Sequence, residues 1–221
     1  MEFKKAKSEP VLLLKYLRKT DKILDVGCGG GALVRYLLEK NYDAYGTDKK
    51  SVLGKSLLRF ESRMLGRRLH YGKAEKLPFY DLVFDTVVFF ASFHHVPIKN
   101  FAKALSECRR VLKPGGRVVI IEPQPVKGHY YELLKLANDE KTVQAEAYKF
   151  IKKRYPDYFG KYSEKHFYIL RTPEDFRTLL EKYVRGERRK KEIWNRAETL
   201  INKNTYPGLV KSTVRLILLS A

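Results

Sequence analysis

Through the first 125 residues the hydrophobic positions alternate between two rhythms. Short segments with strand character lie at Ile23–Val26, at Asp43–Thr47 ending on Asp48, and at Leu69–Tyr71, Val83–Phe90 and Arg117–Glu122. Between them, apolar residues recur at three- and four-residue steps, the period of a helix with one buried face. Leu33, Leu37 and Leu38 mark such a face in residues 32–40, a second helix is predicted from about Ser51 to Leu65, and Phe101, Leu105, Cys108 and Leu112 mark a third. That third helix must stop at Lys113-Pro114-Gly115-Gly116, since Pro and Gly both break helices. An N-terminal helix is predicted around Val11–Leu17, with Arg18 and Lys19 at its negative end. Val83–Phe90 is apolar enough to be covered on both faces. Strands alternating with helices predict an α/β fold on a parallel sheet.

Beyond Pro123 the rhythm changes. Residues 126–171 hold ten aromatics on mostly helical patterning, and the segment is expected to be a mobile helical lid that, together with the N-terminal helix, covers the strand ends and sets substrate choice. Thr172-Pro173-Glu174-Asp175 opens a helix through Tyr183, with Thr172 as cap and Pro173 in the first turn. Residues 184–203 read either as a basic strand or as a helix carrying Ile193, Ala197, Leu200 and Ile201, and Thr213–Leu219 reads as a closing strand.

Composition narrows the class. At 221 residues, 44% hydrophobic and 13% aromatic, the chain buries a real core and reads as one domain. No apolar run is long enough to span a bilayer and the start shows no export signal, so a soluble, cytoplasmic protein is expected. Two cysteines, Cys28 and Cys108, cannot build a disulfide framework or a cysteine-based metal site. The net charge is +20, and it is spread: residues 1–125 carry 24 basic and 13 acidic side chains, residues 126–221 carry 21 and 12. Such a field favours an anionic substrate such as RNA or a nucleotide. A Lys-rich surface of thermophilic type explains it equally well, since Gln occurs only at 124 and 144.

The chemistry concentrates in Asp25-Val26-Gly27-Cys28-Gly29-Gly30-Gly31, where a strand must turn sharply into a helix while its backbone approaches a ligand. The same physics serves dinucleotides, but Asp25 at the head of the turn would oppose a cationic ligand rather than a pyrophosphate. Asp48, ending the second strand, stands where a ribose diol is gripped in such folds.

These blocks, followed in order by Gly46-Thr47-Asp48, Gly72-Lys73-Ala74-Glu75-Lys76-Leu77-Pro78-Phe79, Phe84-Asp85-Thr86-Val87-Val88, Phe93-His94-His95-Val96 and Leu112-Lys113-Pro114-Gly115-Gly116, resemble class I S-adenosylmethionine-dependent methyltransferases. The subgroup is the one that includes ubiquinone/menaquinone-biosynthesis enzymes, and the resemblance covers about residues 20–125. It implies a Rossmann-like, seven-stranded, mostly parallel sheet in the order 3-2-1-4-5-7-6 with an antiparallel last strand. That topology needs a sixth strand, expected at Gly186–Trp194, and divides the chain into a core (20–125), the lid (126–171) and a C-terminal completion (172–221).

The resemblance also implies S-adenosylmethionine as cofactor and S-adenosylhomocysteine as product. Gly27 and Gly29 would line the methionine part, with Asp25 near its amino group and Cys28 between them as a small filler at the cofactor. Asp48 and Lys49 would sit at the ribose, Ala74 and Glu75 beside the adenine, and Phe90 over the methionine end. Many relatives carry Asp where this chain has Lys73, which cannot accept a hydrogen bond from the adenine amino group. His94 and Glu122 are the candidates for a proton-transfer role, although His94 also fits a packing role and Glu122 a cap. No spaced set of metal ligands appears, so no metal is expected. The function expected is methyl transfer to a small-molecule or RNA acceptor, anionic or aromatic, by in-line displacement driven mainly by positioning. A non-catalytic RNA- or partner-binding subunit on the same fold is the alternative, and a nucleotide-dependent oxidoreductase is disfavoured by the form of the glycine loop.

Overall fold

The computed structural model describes residues 2–57, 63–126, 130–204 and 209–220. Within them the strands are β1 (Lys4–Lys5), β2 (Lys22–Val26), β3 (Asp43–Asp48), β4 (Leu69–Tyr71), β5 (Phe84–Phe90), β6 (Leu112–Pro123), β7 (Lys161–Arg171) and β8 (Val210–Ser220). They form one sheet in the order β1-β7-β8-β6-β5-β2-β3-β4. Read from β4, this is the expected 3-2-1-4-5-7-6 arrangement with the two-residue β1 added at the far edge. All pairings are parallel except those of β8, which runs antiparallel to both β6 and β7.

The helices are α1 (Glu9–Leu14), α2 (Ala32–Glu39), α3 (Lys50–Leu57), α4 (Arg63–Gly66), α5 (Phe101–Val111), α6 (Tyr130–Ala137), α7 (Lys141–Arg154), α8 (Pro173–Tyr183) and α9 (Glu187–Asn204). The helix expected from Ser51 to Leu65 is present as α3 and α4, and its residues 58–62 lie outside the described residues. The pleat sorts the core. Ile23, Val88, Val119, Ile121 and Leu216 pack with Leu12 and Leu13 of α1 and Val34 and Leu37 of α2. Their chain neighbours Leu24, Val87, Val118, Ile120 and Ile217 point the other way, onto Leu105 and Cys108 of α5 and Ala147 and Ile151 of α7. This period-2 division makes the central strands apolar on both faces. Among the described residues no helix is long and apolar enough to cross a membrane.

Two expectations change. The sixth strand of the topology is not at Gly186–Trp194, because α9 fills that stretch. Ile193, Ala197 and Ile201 recur every fourth residue and are buried together with Phe176 and Leu180 of α8 and Tyr130 and Leu133 of α6. Four-residue spacing buries one face only in a helix. The sixth strand is β7, inside the segment expected to be a helical lid. Its sequence, KYSEKHFYILR, alternates burial at its outer end and pairs along its whole length with β8. The segment after β6 is therefore two helices and a sheet strand, and its aromatics are built into the core: Tyr130 with Phe176 edge to face, and Phe150 against Phe101.

The third cluster gives a stability prediction. Phe176 is fully buried, its ring centroid 6.2 Å from those of both Tyr130 and Trp194. Phe176→Ala should lower the unfolding free energy by about 3–5 kcal/mol, measured by urea titration. A loss under about 1 kcal/mol would mean that α8 and α9 are not docked on the sheet as described.

Candidate functional site

The site begins where β2 ends. Gly27, Gly29 and Gly31 have φ of 76°, 56° and 78°, the left-handed region open to glycine. A Cβ on Gly27 would also lie 2.7 Å from Cβ of Ser92, whose hydroxyl donates to the Val26 carbonyl at 2.6 Å. A Cβ on Gly29 would meet nothing within 4 Å, because that position faces open space. The turn is fastened to the neighbouring strand: Asp48 accepts the Gly29 N–H on Oδ2 at 2.8 Å and the Lys49 N–H on Oδ1 at 2.7 Å. Gly46 earns its place here as well, since a Cβ would press on the Cys28 sulfur at 2.8 Å. Burial, reinforced by the charges of Asp25 and Asp48, pushes the Cys28 thiol up, so it stays protonated and acts as a small filler.

A cavity of about 930 Å³ opens above this turn at the carboxyl ends of β2, β3 and β5, within the range of small-molecule sites. It is lined by Asp25, Gly27, Cys28 and Gly29 from the first turn and by Asp48 and Lys49 from the second. Ala74 and Glu75 line it after β4, and Phe90 at the end of β5. Glu75 is held by Asn100, which donates to it at 2.9 Å, and Lys73 lines the cavity beside it. Ala91 follows with φ of 50°, a strained non-glycine position at the site's edge that no sequence pattern marks.

The outer wall was legible only in part. The N-terminal helix, expected over the strand ends, supplies Pro10 of α1, whereas Tyr36 of α2 and Lys182 and Tyr183 at the end of α8 were missed. No described residue between 126 and 171 lines the cavity. The apolar cluster in α1 and the capped start of α8 were both legible, but nothing local says that they converge.

Asp25 is the electrostatic centre. Burial, reinforced by the charge of Asp48, pushes its carboxyl up to about 8. Its Oδ1 is buried without a hydrogen-bond partner. The cavity therefore has at its base a carboxyl group that stays largely protonated up to about pH 8, and a cationic group placed against it would favour its ionised form.

His94 and Glu122 meet each other rather than the cavity. Glu122, near the end of β6, accepts the Phe93 N–H at 2.9 Å on one oxygen and contacts His94 Nδ1 with the other. Burial lowers the basicity of His94, but the bond to Glu122 and the approach and charges of Glu122 and Glu140 outweigh it and take its pKa up to about 9. His95, next to it, does line the cavity. Glu140, just before α7, approaches both rings, 3.3 Å from His94 Nε2 and 3.7 Å from His95 Nε2.

Residues 24–120 match the family model described as a methyltransferase domain. A demethylmenaquinone methyltransferase of Thermotoga maritima is 36% identical over 107 residues, covering 48% of this chain and 44% of that protein. A ubiquinone/menaquinone biosynthesis C-methyltransferase of Burkholderia mallei is 30% identical over 148 residues, 61% of this chain and 60% of that one. The chain spans about half the length of the curated relatives it matches. Among solved structures, the YcgJ protein from Bacillus subtilis superposes with a TM-score of 0.63 at 18% identity, covering 96% of this chain and 97% of that one. Phosphoethanolamine N-methyltransferase 2 of Haemonchus contortus, solved with phosphomonomethylethanolamine and S-adenosylhomocysteine, gives 0.54 at 17% identity, covering 96% and 52%. At such identities the structural likeness shows the fold, the Rossmann-like methyltransferase fold. The resemblance read from the ordered motifs is borne out over 24–120.

Asp25 makes the ligand-free protein pH-sensitive in a defined direction. Its carboxyl titrates near 8 in the folded chain against 3.8 as an unperturbed group. Between those values the folded state keeps a proton that the unfolded state has released, so this group lowers stability progressively as pH rises through the window. Asp25→Asn removes the effect. Its melting temperature relative to the parent should climb between about pH 5 and pH 8 and then level off. A difference independent of pH would show that Asp25 is already ionised in the folded chain.

Proposed function

We propose that the chain is an S-adenosylmethionine-dependent methyltransferase whose acceptor is a small, anionic or aromatic molecule. The observation that carries this reading is the unpartnered, buried Asp25 carboxyl under a glycine turn whose Gly29 position opens into the cavity. The residues present fit the cofactor. Asp25 would receive its amino group, and the backbone of Gly27 and Gly29 would let the methionine part approach. Asp48 would take the ribose hydroxyls on the lone pairs left free by its two backbone contacts. With Lys73 in place of an acceptor, the adenine amino group would turn to Glu75 or a backbone carbonyl.

Bound S-adenosylmethionine supplies a methyl group already activated on its sulfonium. What remains for this chain is to bind, orient and keep water out, and holding the nucleophile about 3–3.5 Å from its target supplies much of the rate. The outer wall suits that task. Pro10, Tyr36 and Tyr183 offer apolar faces, while Lys49, Lys73 and Lys182 supply positive charge. The quinone-pathway names of several relatives favour a small acceptor of this kind over RNA. Because the aromatic segment 126–171 packs in the core, acceptor choice falls to α1 and α8. His94 and Glu122 act here as positioning residues for the 93–95 turn, and no general base is required when the nucleophile arrives deprotonated.

Calorimetry with S-adenosylmethionine, S-adenosylhomocysteine and NAD tests the reading. The first two should bind and NAD should not, and Asp48→Ala should weaken S-adenosylhomocysteine about 10- to 100-fold with the fold intact. Unchanged affinity removes Asp48 from the site. Binding of RNA without either adenosyl ligand would favour the non-catalytic subunit instead.

A further inference from the structure

The pairing of Glu122, His94, His95 and Glu140 leaves one atom without a purpose. His94 is almost wholly enclosed, at 2% side-chain exposure, and its Nδ1 is committed to Glu122. Its other nitrogen, Nε2, is buried and makes no hydrogen bond, although Glu140 Oε2 lies 3.3 Å away. That carboxylate is close enough, but the ring N–H direction does not meet it. Such an orphaned buried nitrogen is costly unless something sits in front of it.

The space in front of it is bounded by ligand atoms. One ligand atom from each of His94, His95 and Glu140 lies within 4.8 Å of the others. Bonds of about 2.0–2.2 Å from a tetrahedral ion place its ligand atoms about 3.3–3.6 Å apart. Glu140 already comes near that spacing to both rings through its two oxygens, Oε2 lying 3.3 Å from His94 Nε2 and Oε1 3.7 Å from His95 Nε2. A single Glu140 oxygen would be shared by both rings after rotation of His95, whose side chain is 57% exposed. The outer shell is also in place. Glu122 accepts from His94 Nδ1 and is itself fixed by the Phe93 N–H at 2.9 Å, so Nε2 is presented as the electron-pair donor, the usual support of a metal-bound imidazole. Asn138 donates to Glu140 Oε1 at 2.8 Å and steadies the carboxylate. Charge points the same way: two carboxylates face two imidazole rings, and a divalent cation balances both carboxylates where the single proton held on His94 balances one.

We propose that His94, His95 and Glu140 bind a divalent transition-metal ion of the zinc class, with Glu122 as the outer-shell partner of His94. Three protein ligands would leave a fourth position open, and one of the three, His95, lines the cavity. The ion fastens the start of α7 to the turn after β5, two parts of the chain that no local sequence spacing connects.

The test uses the full chain, stripped with a chelator and dialysed, then titrated with Zn²⁺ by calorimetry and with Co²⁺ by visible absorption. One ion should bind per chain, with a d–d band of tetrahedral intensity and a Zn²⁺-dependent rise in melting temperature. His95→Ala and Glu140→Gln, both at partly exposed positions, should each weaken Zn²⁺ at least about tenfold, and Glu122→Gln about 10- to 100-fold. A protonated His94 held between two carboxylates needs no ion and does not use His95. Under that arrangement no saturable Zn²⁺ binding occurs, or binding is the same in His95→Ala and Glu140→Gln as in the parent, and either result overturns the proposal. S-adenosylhomocysteine titrated into the same proteins reads the cofactor site separately, so failure of one assignment is distinguishable from failure of the other.

Discussion

Everything in the site hangs on one chain reversal at the end of β2. The backbone must leave the sheet at Val26, pass beneath Ser92 and enter α2 within five residues that include left-handed turns at 27, 29 and 31. Side chains there would strain the backbone or, at Gly27, collide with Ser92. Because the turn is tight, the Gly29 N–H reaches Asp48 on the adjacent strand, and that bond ties the carboxyl ends of β2 and β3 together. The cavity is the space this tie leaves open. Asp25 is buried at its base because the turn closes over it, and that burial raises its pKa.

The first half of the chain was legible because each of its signals is local. Strands β2, β3 and β5 sit within a residue or so of the segments their patterns predict, and the glycine block and both carboxylates fall on the cavity wall. The second half misled for a physical reason. β7 is rich in tyrosine, lysine and histidine, with few aliphatics, so its alternation is blurred and it reads as a polar aromatic cover. It tolerates that composition because its outer end is half exposed, near the edge of the sheet. The basic stretch of α9 reads as a charged edge strand when a sixth strand must be found somewhere, and yet Ile193, Ala197 and Ile201 keep a strict four-residue step. Helical period outweighs charge when the two disagree, since period decides which residues can be buried together.

Tertiary convergence lay outside the reach of spacing altogether. His94 and Glu122 were legible as a suspicious pair of titratable groups, but not as partners of each other. Glu140 carried no signal at all, because its meaning depends on α7 docking against the 93–95 turn. The same holds for Lys182 and Tyr183, which reach the cavity only because α8 packs through Phe176 onto α6 and α9.

This arrangement separates two tasks that a methyl-transfer site has to combine. The invariant part of the ligand would be met by backbone and carboxylates at the sheet edge, where geometry is fixed by β2, β3 and β5 and by two packed faces of core. The variable part would be met by α1, α2 and α8, which border the cavity through a few side chains each. A substitution at Pro10, Tyr36 or Tyr183 changes the wall without touching the turn that positions Asp25 and Asp48. Changes within α7 act differently, because its buried Ala147 and Ile151 support the same core as β5 and β6. The aromatic segment thus shapes the site at second hand, by holding the turn that carries His94 and His95 and by seating α8 through Tyr130 against Phe176.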